Sequence, residues 1–170
     1  ESTTKDIINT EREIYIEPTY QEVLQFFKEC KEENSEDNPL SFDIETASGE
    51  ITCIGFAPSS KRSMVVPFRD TTQKSQTFYN YTTETAIWSA IKELLEDKTL
   101  VKVAQNQTYD VSWLNYKYGI EVAGIIHDTM HAQHALQPEM EKGLGFLGSI
   151  YTNEGAWKNL TSFSKSTKEE

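Results

Sequence analysis

Hydrophobic and polar positions alternate most clearly over residues 40–45, where Leu, Phe and Ile are interleaved with Ser, Asp and Glu. A period of two residues is typical of a β-strand with two different faces. The nearly unbroken apolar run 51–57 follows after a short polar stretch, so the two segments are predicted to pair as a hairpin. Asp43 and Glu45 then share one face of the first strand, roughly 7 Å apart at ~3.3 Å per residue.

Two interpretations of this carboxylate pair remain open from the pattern alone. Asp43 and Glu45 could simply face water from an edge strand. Inside a sheet, however, neighbouring carboxylates repel each other and raise each other's pKa unless a cation lies between them. A hard divalent cation such as Mg²⁺ would suit that place, because it prefers carboxylate oxygens together with water and phosphate.

The rest of the chain predicts a mixed α/β sheet. Three consecutive strands followed by strand–helix units are typical of an antiparallel meander continued by parallel strands, with helices on both faces. In the first helix Val23, Leu24, Phe27 and Cys30 are predicted to form the inward stripe. The polar run 70–75 is predicted to be a turn. Strands are predicted near 13–16, 40–45, 51–57, 63–67, 100–104 and 122–126, and helices over 19–32, 83–96, 108–118, 129–136 and 143–151.

A third carboxylate follows the strand at 100–104. Asp110 lies in the first turn of the next predicted helix, in which apolar residues recur at spacings of three and four and which Gly119 ends. A carboxylate in that place can be no more than a partner of the helix dipole. Asp110 alone therefore does not identify a site.

Taken together, these segments resemble two motifs of the DEDD 3′–5′ exonucleases: Asp-x-Glu ending one strand, and Asn-x-x-Tyr-Asp after a later one. More closely, they look like the proofreading domain of phage-type family A DNA polymerases, and this resemblance runs from about residue 40 to 158. Its segments are SFDIET at 41–46, KVAQN at 102–106, DTM at 128–130, and KGLGFL with SIYT at 142–147 and 149–152.

The resemblance implies a ribonuclease H-like fold and removal of nucleotides from the 3′ end of single-stranded or frayed DNA. It implies that Asp43, Glu45 and Asp110 are the catalytic and metal-binding residues, holding two Mg²⁺ or Mn²⁺ ions roughly 4 Å apart. Asn106 and Tyr109 would line the path of the strand, where an aromatic ring can stack on a base. Thr46 would offer its backbone N–H to the terminal nucleotide.

The sequence departs from the family in one respect. The third motif, typically Tyr-x-x-x-Asp, does not occur, and no Asp follows Asp128. We therefore expect a strand–helix extension over 1–39, a C-terminally incomplete exonuclease domain over 40–158 and a polar tail over 159–170. A polymerase domain is expected in the same chain or in a partner. An RNA-directed DEDD exonuclease and a non-catalytic nucleic-acid-binding module are the alternatives.

Composition changes this picture only slightly. The formal net charge of −11 argues against a protein that grips duplex DNA over many phosphates and favours a short footprint on a strand end. Cys30 and Cys53 fall at apolar positions and are predicted to be buried free thiols. With no apolar run long enough for a membrane span, we expect no membrane partner and a cytoplasmic location in a bacterium or a phage-infected host.

The three histidines of the chain suggest a rival metal site. His127, His131 and His134 are spaced so that they could line one helix face and bind Zn²⁺ near Asp128. The Asp-Thr pair at 128–129, however, is typical of a helix N-cap, which would leave His127 outside the helix. We favour solvent-facing histidines.

Overall fold

The computed structural model describes residues 12–70 and 76–153. In this part of the chain, six strands form one mixed sheet and five helices accompany them. The elements are β1 Glu13–Ile16, α1 Tyr20–Glu33, β2 Leu40–Ala47, β3 Glu50–Ser59, β4 Arg62–Pro67, α2 Tyr81–Leu95, β5 Val101–Ala104, α3 Gln107–Tyr118, β6 Ile125–Asp128, α4 Thr129–Leu136 and α5 Leu144–Tyr151.

The strand order in the sheet is β1-β4-β3-β2-β5-β6. β2, β3 and β4 form an antiparallel meander, whereas β1 runs parallel to β4 and β5 runs parallel to β2. β2 therefore lies inside the sheet, between β3 and β5. The predicted fold class, a ribonuclease H-like mixed sheet, is confirmed.

The core lies against the apolar face of the meander. Phe42 pairs with Phe56 and Ile44 with Ile54 across β2 and β3, and all four are buried. Phe27 of α1 packs edge-on against Phe56, with ring centroids 5.0 Å apart. This apolar face fixes the register of β2, because a slip of one residue would bring its carboxylates into the core.

The first helix begins as its sequence predicts and differs on its inward stripe. Thr19 caps it through a capping box with Glu22, in which each side chain accepts a hydrogen bond from the other residue's backbone N–H. Leu24, predicted to face inward, is 40% exposed, and Phe26 is buried in its place. Three of the four predicted inward residues are buried, so the predicted stripe differs from the observed one only in this exchange.

A buried lysine ties the start of β5 to the loops around it. Lys102 has no exposed surface, and its ammonium donates to the carbonyl oxygens of Asp97 and Ala123 at 2.7 and 2.6 Å. Gly124 lies close by at φ +89°, where an added Cβ would come within 2.5 Å of the Leu100 carbonyl oxygen. The loop after α3 is thereby held against the loop before β5.

The chain divides into two compact units, Glu1–His127 and Asp128–Glu170. Within the second, Asp128 caps α4 by accepting from the Met130 and His131 N–H groups, as predicted. The Tyr151 hydroxyl at the end of α5 donates to the side chain of the buried Gln133 at 2.8 Å. The helices α4 and α5 are thus joined by a hydrogen bond as well as by their chain connection.

Most predicted boundaries are confirmed to within a few residues. The sixth strand was placed too early, because it begins at Ile125 rather than 122. Cys30 is buried as predicted, but Cys53 is only half-buried. The turn predicted at 70–75 and the tail at 159–170 lie largely or wholly outside the described residues. No helix in the described ranges has both the length and the apolar character required to cross a bilayer.

Candidate active site

Asp43 and Glu45 lie on the face of β2 that points away from the core. Along this strand buried and exposed residues alternate, so that Phe42 and Ile44 are buried whereas Asp43 and Glu45 are exposed. Both carboxylates therefore sit within the sheet's central region and remain accessible to solvent. The interpretation as an edge strand is wrong, because β2 has β3 on one side and β5 on the other.

Small residues surround the two carboxylates on the neighbouring strand. Asp43 pairs with Gly55 and Glu45 with Cys53. An added Cβ at Gly55 would meet only the Asp43 carbonyl oxygen, at an ordinary 3.9 Å, so the backbone does not require glycine there. The absence of a side chain leaves open space beside Asp43, which suits a face that admits a ligand.

The strand changes course just after Glu45. The pairing register with β3 shifts between Glu45 and Thr46, and the Thr52 hydroxyl donates to the Glu45 carbonyl oxygen at 3.0 Å. Such bulges bend a strand and redirect its side chains, and they are frequent beside active sites. Here the shift turns Thr46 toward the start of α3.

Asp110 enters the site from the first turn of α3. Asn106, at the corner between β5 and α3, adopts the left-handed conformation with φ 58° and ψ 48°. Asn tolerates this conformation better than most residues, which explains its place at so sharp a corner. The corner brings the buried Asp110 carboxylate to the Ile44 backbone N–H, which donates to it at 3.0 Å.

The electrostatics of Asp110 show that the three carboxylates interact. The pKa of Asp110 is raised to about 6: burial is the largest cause, the hydrogen bond from Ile44 acts in the opposite direction, and the negative charges of Asp43 and Glu45 add to the rise. Asp43, Glu45 and Asp110 therefore form one cluster of like charge beside the central strand β2. A divalent cation would relieve this repulsion.

The donor chemistry of the cluster fits Mg²⁺ or Mn²⁺, which prefer carboxylate oxygens. Within residues 12–70 and 76–153, however, no three His, Cys, Asp or Glu side chains already converge closely enough to hold an ion. Asp110 is held by Ile44, whereas Asp43 and Glu45 are exposed and have room to change rotamer. Binding an ion would require these two side chains to rearrange.

The remaining predicted residues also meet at this place. The Tyr109 and Thr46 hydroxyl groups are 2.7 Å apart and hydrogen-bonded, and Tyr109 is 46% exposed. Asn106 is exposed at the corner before them. The structure thus gathers all six predicted residues around the end of β2, and their roles in binding and catalysis stay predictions.

The rival histidine site does not form. His127 lies on β6 with Nε2 3.6 Å from Glu36, and His131 and His134 are exposed on α4. The part of the chain that the structure describes contains no group of side chains arranged for zinc around them. The interpretation as solvent-facing histidines is confirmed.

Two features of the site were missed. The Ile44 backbone N–H, which positions Asp110, has no sequence signal, since only the fold brings it there. Trp113 and Lys117 continue from Tyr109 at intervals of four residues, and that helical spacing could have revealed them as a stripe beside the site.

Structures of known proteins share this fold. The EXD2 exonuclease domain soaked in Mg and GMP is 16% identical with a TM-score of 0.51, and the match covers 90% of this chain and 81% of that one. RNase D of Trypanosoma brucei is 14% identical with a TM-score of 0.66, and the match covers 94% of this chain and 55% of that one. The chain thus spans about half the length of RNase D.

A structure of the same RNase D in complex with RNA U12 matches with a TM-score of 0.61 at 15% identity, covering 89% of this chain and 52% of that one. These neighbours are not phage polymerases, so the narrower resemblance to a phage-type polymerase domain is not confirmed. No curated protein was found to match in sequence. The family model described as 3′–5′ exonuclease matches residues 15–167, nearly the whole sequence. The chain belongs to the 3′–5′ exonuclease family, of the DEDD type.

Proposed function

We propose that this chain removes nucleotides from the 3′ end of single-stranded or frayed DNA, as a proofreading-type exonuclease does. The observation that carries the proposal is the junction of two motifs in space: the Asp110 carboxylate accepts a hydrogen bond from the residue between Asp43 and Glu45. Two segments far apart in sequence thereby bring three carboxylates together beside the solvent-accessible face of β2.

The residues of the chain divide the work between them. Asp43, Glu45 and Asp110 would hold a pair of Mg²⁺ or Mn²⁺ ions, which when bound supply an activated water and stabilise the leaving 3′ oxygen. The hydrogen bond from Ile44 keeps the Asp110 carboxylate in place, and the Tyr109–Thr46 pair forms one wall of the site. The terminal nucleotide would lie over the small residues of β3.

The polarity of cleavage tests this function. Purified protein with Mg²⁺ or Mn²⁺ should shorten a 5′-labelled single-stranded DNA stepwise from a free 3′ hydroxyl and should leave a 3′-blocked oligonucleotide intact. A paired 3′ end should be degraded more slowly than a frayed one, because the acidic surface disfavours duplex binding. Closed circular DNA serves as a test for endonuclease activity. If it is nicked by wild type and not by an Asp43→Ala preparation, the proposal is contradicted. If both preparations nick it, the nicking comes from a contaminant.

An RNA-directed exonuclease is the second candidate. It is favoured by the likeness in fold to RNase D, one structure of which contains RNA. DNA and RNA oligonucleotides of the same sequence and length, degraded in parallel, decide between the two sugars. Faster turnover of RNA would show that RNA is the preferred substrate, and the assignment of the site residues would stay the same.

A non-catalytic binding module remains the alternative from another class, because the sequence has no Tyr-x-x-x-Asp motif to supply a fourth carboxylate. Such a module would bind a 3′ end in a metal-dependent manner without cleaving it. Equilibrium binding and turnover measured on the same oligonucleotide separate the two. Binding that requires Asp43 and Asp110, with no product after long incubation, would identify the module.

A further inference from the structure

An aromatic and basic stripe runs along the outer side of α3. It consists of Tyr109, Trp113, Tyr116 and Lys117. The rings of Tyr109 and Trp113 are 6.2 Å apart and tilted by 52°. The Lys117 ammonium lies 5.9 Å from the ring centres of both Trp113 and Tyr116. Tyr116 is 82% and Tyr109 46% exposed, whereas Trp113 is half-buried and packs partly against the core. The stripe therefore presents two rings and part of a third to solvent.

The stripe begins at the candidate active site. Tyr109 is hydrogen-bonded to Thr46, and the next residue is Asp110. At the other end, Lys117 lies near Glu50 at the start of β3: the pKa of Glu50 is lowered chiefly by its hydrogen bond from Arg69, with smaller contributions from the charges of Arg69 and Lys117. Helix α3 therefore follows the β2–β3 hairpin, and the stripe extends from the carboxylate cluster along it.

The spacing and chemistry of the stripe suit a single strand of nucleic acid. Residues four apart on a helix are separated by a rise of about 6 Å, so the rings of the stripe follow one another along one direction. Bases of any identity can stack on such rings. Lys117 adds a positive charge on a chain whose net charge is −11, at the place where a phosphate of the same strand would need one.

We propose that this stripe binds the two or three nucleotides that precede the 3′-terminal one, with bases stacked on Tyr109 and Trp113, and with Tyr116 and Lys117 holding the next base and its phosphate. The proposal rests on the proposed function, because it uses the same strand end. A protein partner is disfavoured, since the stripe starts at the carboxylate cluster and includes a lysine, a residue depleted in protein interfaces.

Binding as a function of strand length tests the stripe. Labelled oligo-dT of two, four and eight nucleotides is titrated into the full chain in Ca²⁺, in wild type and in Trp113→Ala, Tyr116→Ala and Lys117→Ala. Tyr81→Ala and Lys98→Ala are matched controls, because both residues are exposed and lie outside α3. Matched oligo-U strands form a second arm, and stacking predicts the same pattern for both sugars.

The expected result is a loss of affinity that grows with the length of the oligonucleotide. Each aromatic variant should bind the octanucleotide about fivefold more weakly or worse while binding the dinucleotide nearly as wild type does. Lys117→Ala should also make the slope of log affinity against log salt shallower by about 0.7, the change for one phosphate contact on a single strand. Both controls should match wild type at every length.

Several outcomes would overturn the stripe. The first is that Tyr116→Ala and Lys117→Ala bind the octanucleotide with the wild-type affinity and salt dependence. Both substitutions alter exposed side chains, so these variants should fold even if Trp113→Ala does not. Another is wild-type self-association, seen by sedimentation, that these variants abolish. Failure of the proposed function would be recognised differently, because no strand of any length would be cleaved in Mg²⁺. The affinities measured in Ca²⁺ would still show whether the stripe binds nucleic acid.

Discussion

The two faces of the β2–β3 pair are formed by alternate residues of the same two strands, and they differ in chemical character. One face carries Phe42, Ile44, Ile54 and Phe56, each no more than 5% exposed. The other carries Asp43 and Glu45 with Gly55 and Cys53 opposite them. Large apolar side chains fill the first face, whereas small residues keep the second accessible around its charges.

This difference separates stability from function within a single hairpin. Burying the apolar face stabilises the sheet and fixes its register. The other face carries the negative charges of Asp43 and Glu45, and their repulsion with Asp110 destabilises this cluster. Substitutions on alternate residues should therefore have distinct effects, even though their Cα atoms are neighbours in the chain.

The largest expected effect is on the charged face. Asp43→Ala should reduce cleavage by roughly a thousandfold or more, because losing a metal ligand costs several kcal/mol in the transition state at ~1.4 kcal/mol per factor of ten. Its stability at neutral pH should be unchanged or slightly higher, since repulsion is relieved. Rates are measured on single-stranded DNA and stability by urea unfolding, with the exposed loop variant Asp37→Ala as control. An unfolded variant, or one that cleaves at the wild-type rate, would show that the pair is structural.

The buried face should show the opposite pattern. Phe42→Ala should lower the free energy of unfolding by about 3–5 kcal/mol, because it opens a cavity in a packed core. The activity of the molecules that remain folded should be nearly preserved at low temperature. Denaturant titration measures the first quantity, and turnover corrected for the folded fraction measures the second. A Phe42→Ala protein of wild-type stability would mean that this face does not carry the core.

Gly55 tests whether the open face must stay open. Gly55→Leu should fold, since a Cβ there meets only an ordinary contact, but its side chain would stand over Asp43 and lower cleavage by about tenfold, as cross-strand neighbours lie ~5 Å apart. Gly55→Ala is the matched control and should lose little. If both variants cleave as wild type does, access does not pass beside Asp43.

The smallest effect concerns the pH dependence of stability without metal. The pKa of Asp110 is raised from 3.8 to about 6 in the folded protein, chiefly by burial. Between these values the folded state binds more protons than the unfolded state, so the free energy of unfolding attributable to Asp110 falls as pH rises through this window. Asp110→Asn should therefore gain stability relative to wild type between pH 4 and pH 7, measured by urea unfolding in EDTA. A constant difference across that range would contradict the raised pKa.

Sequence reasoning located the elements well where periodicity was strong. The alternation at 40–45 located β2 and its two faces, and the apolar spacing over 19–32 located α1. Leu24 and Phe26 exchanged roles, because both are apolar and the direction of a helix stripe is set by the elements packed against it. β6 was displaced, since its neighbouring residues 122–126 are apolar without a clear period.

The sequence by itself determined which residues could do chemistry: two carboxylates on one strand face, a third in a helix's first turn, and their order along the chain. Only the tertiary structure decided that they belong together, because the left-handed corner at Asn106 directs α3 back to β2 and the Ile44 N–H receives Asp110. A hydrogen bond between residues 66 positions apart leaves no local pattern. For the same reason the sequence does not indicate the open space beside Gly55, because that space exists only once β3 lies against β2.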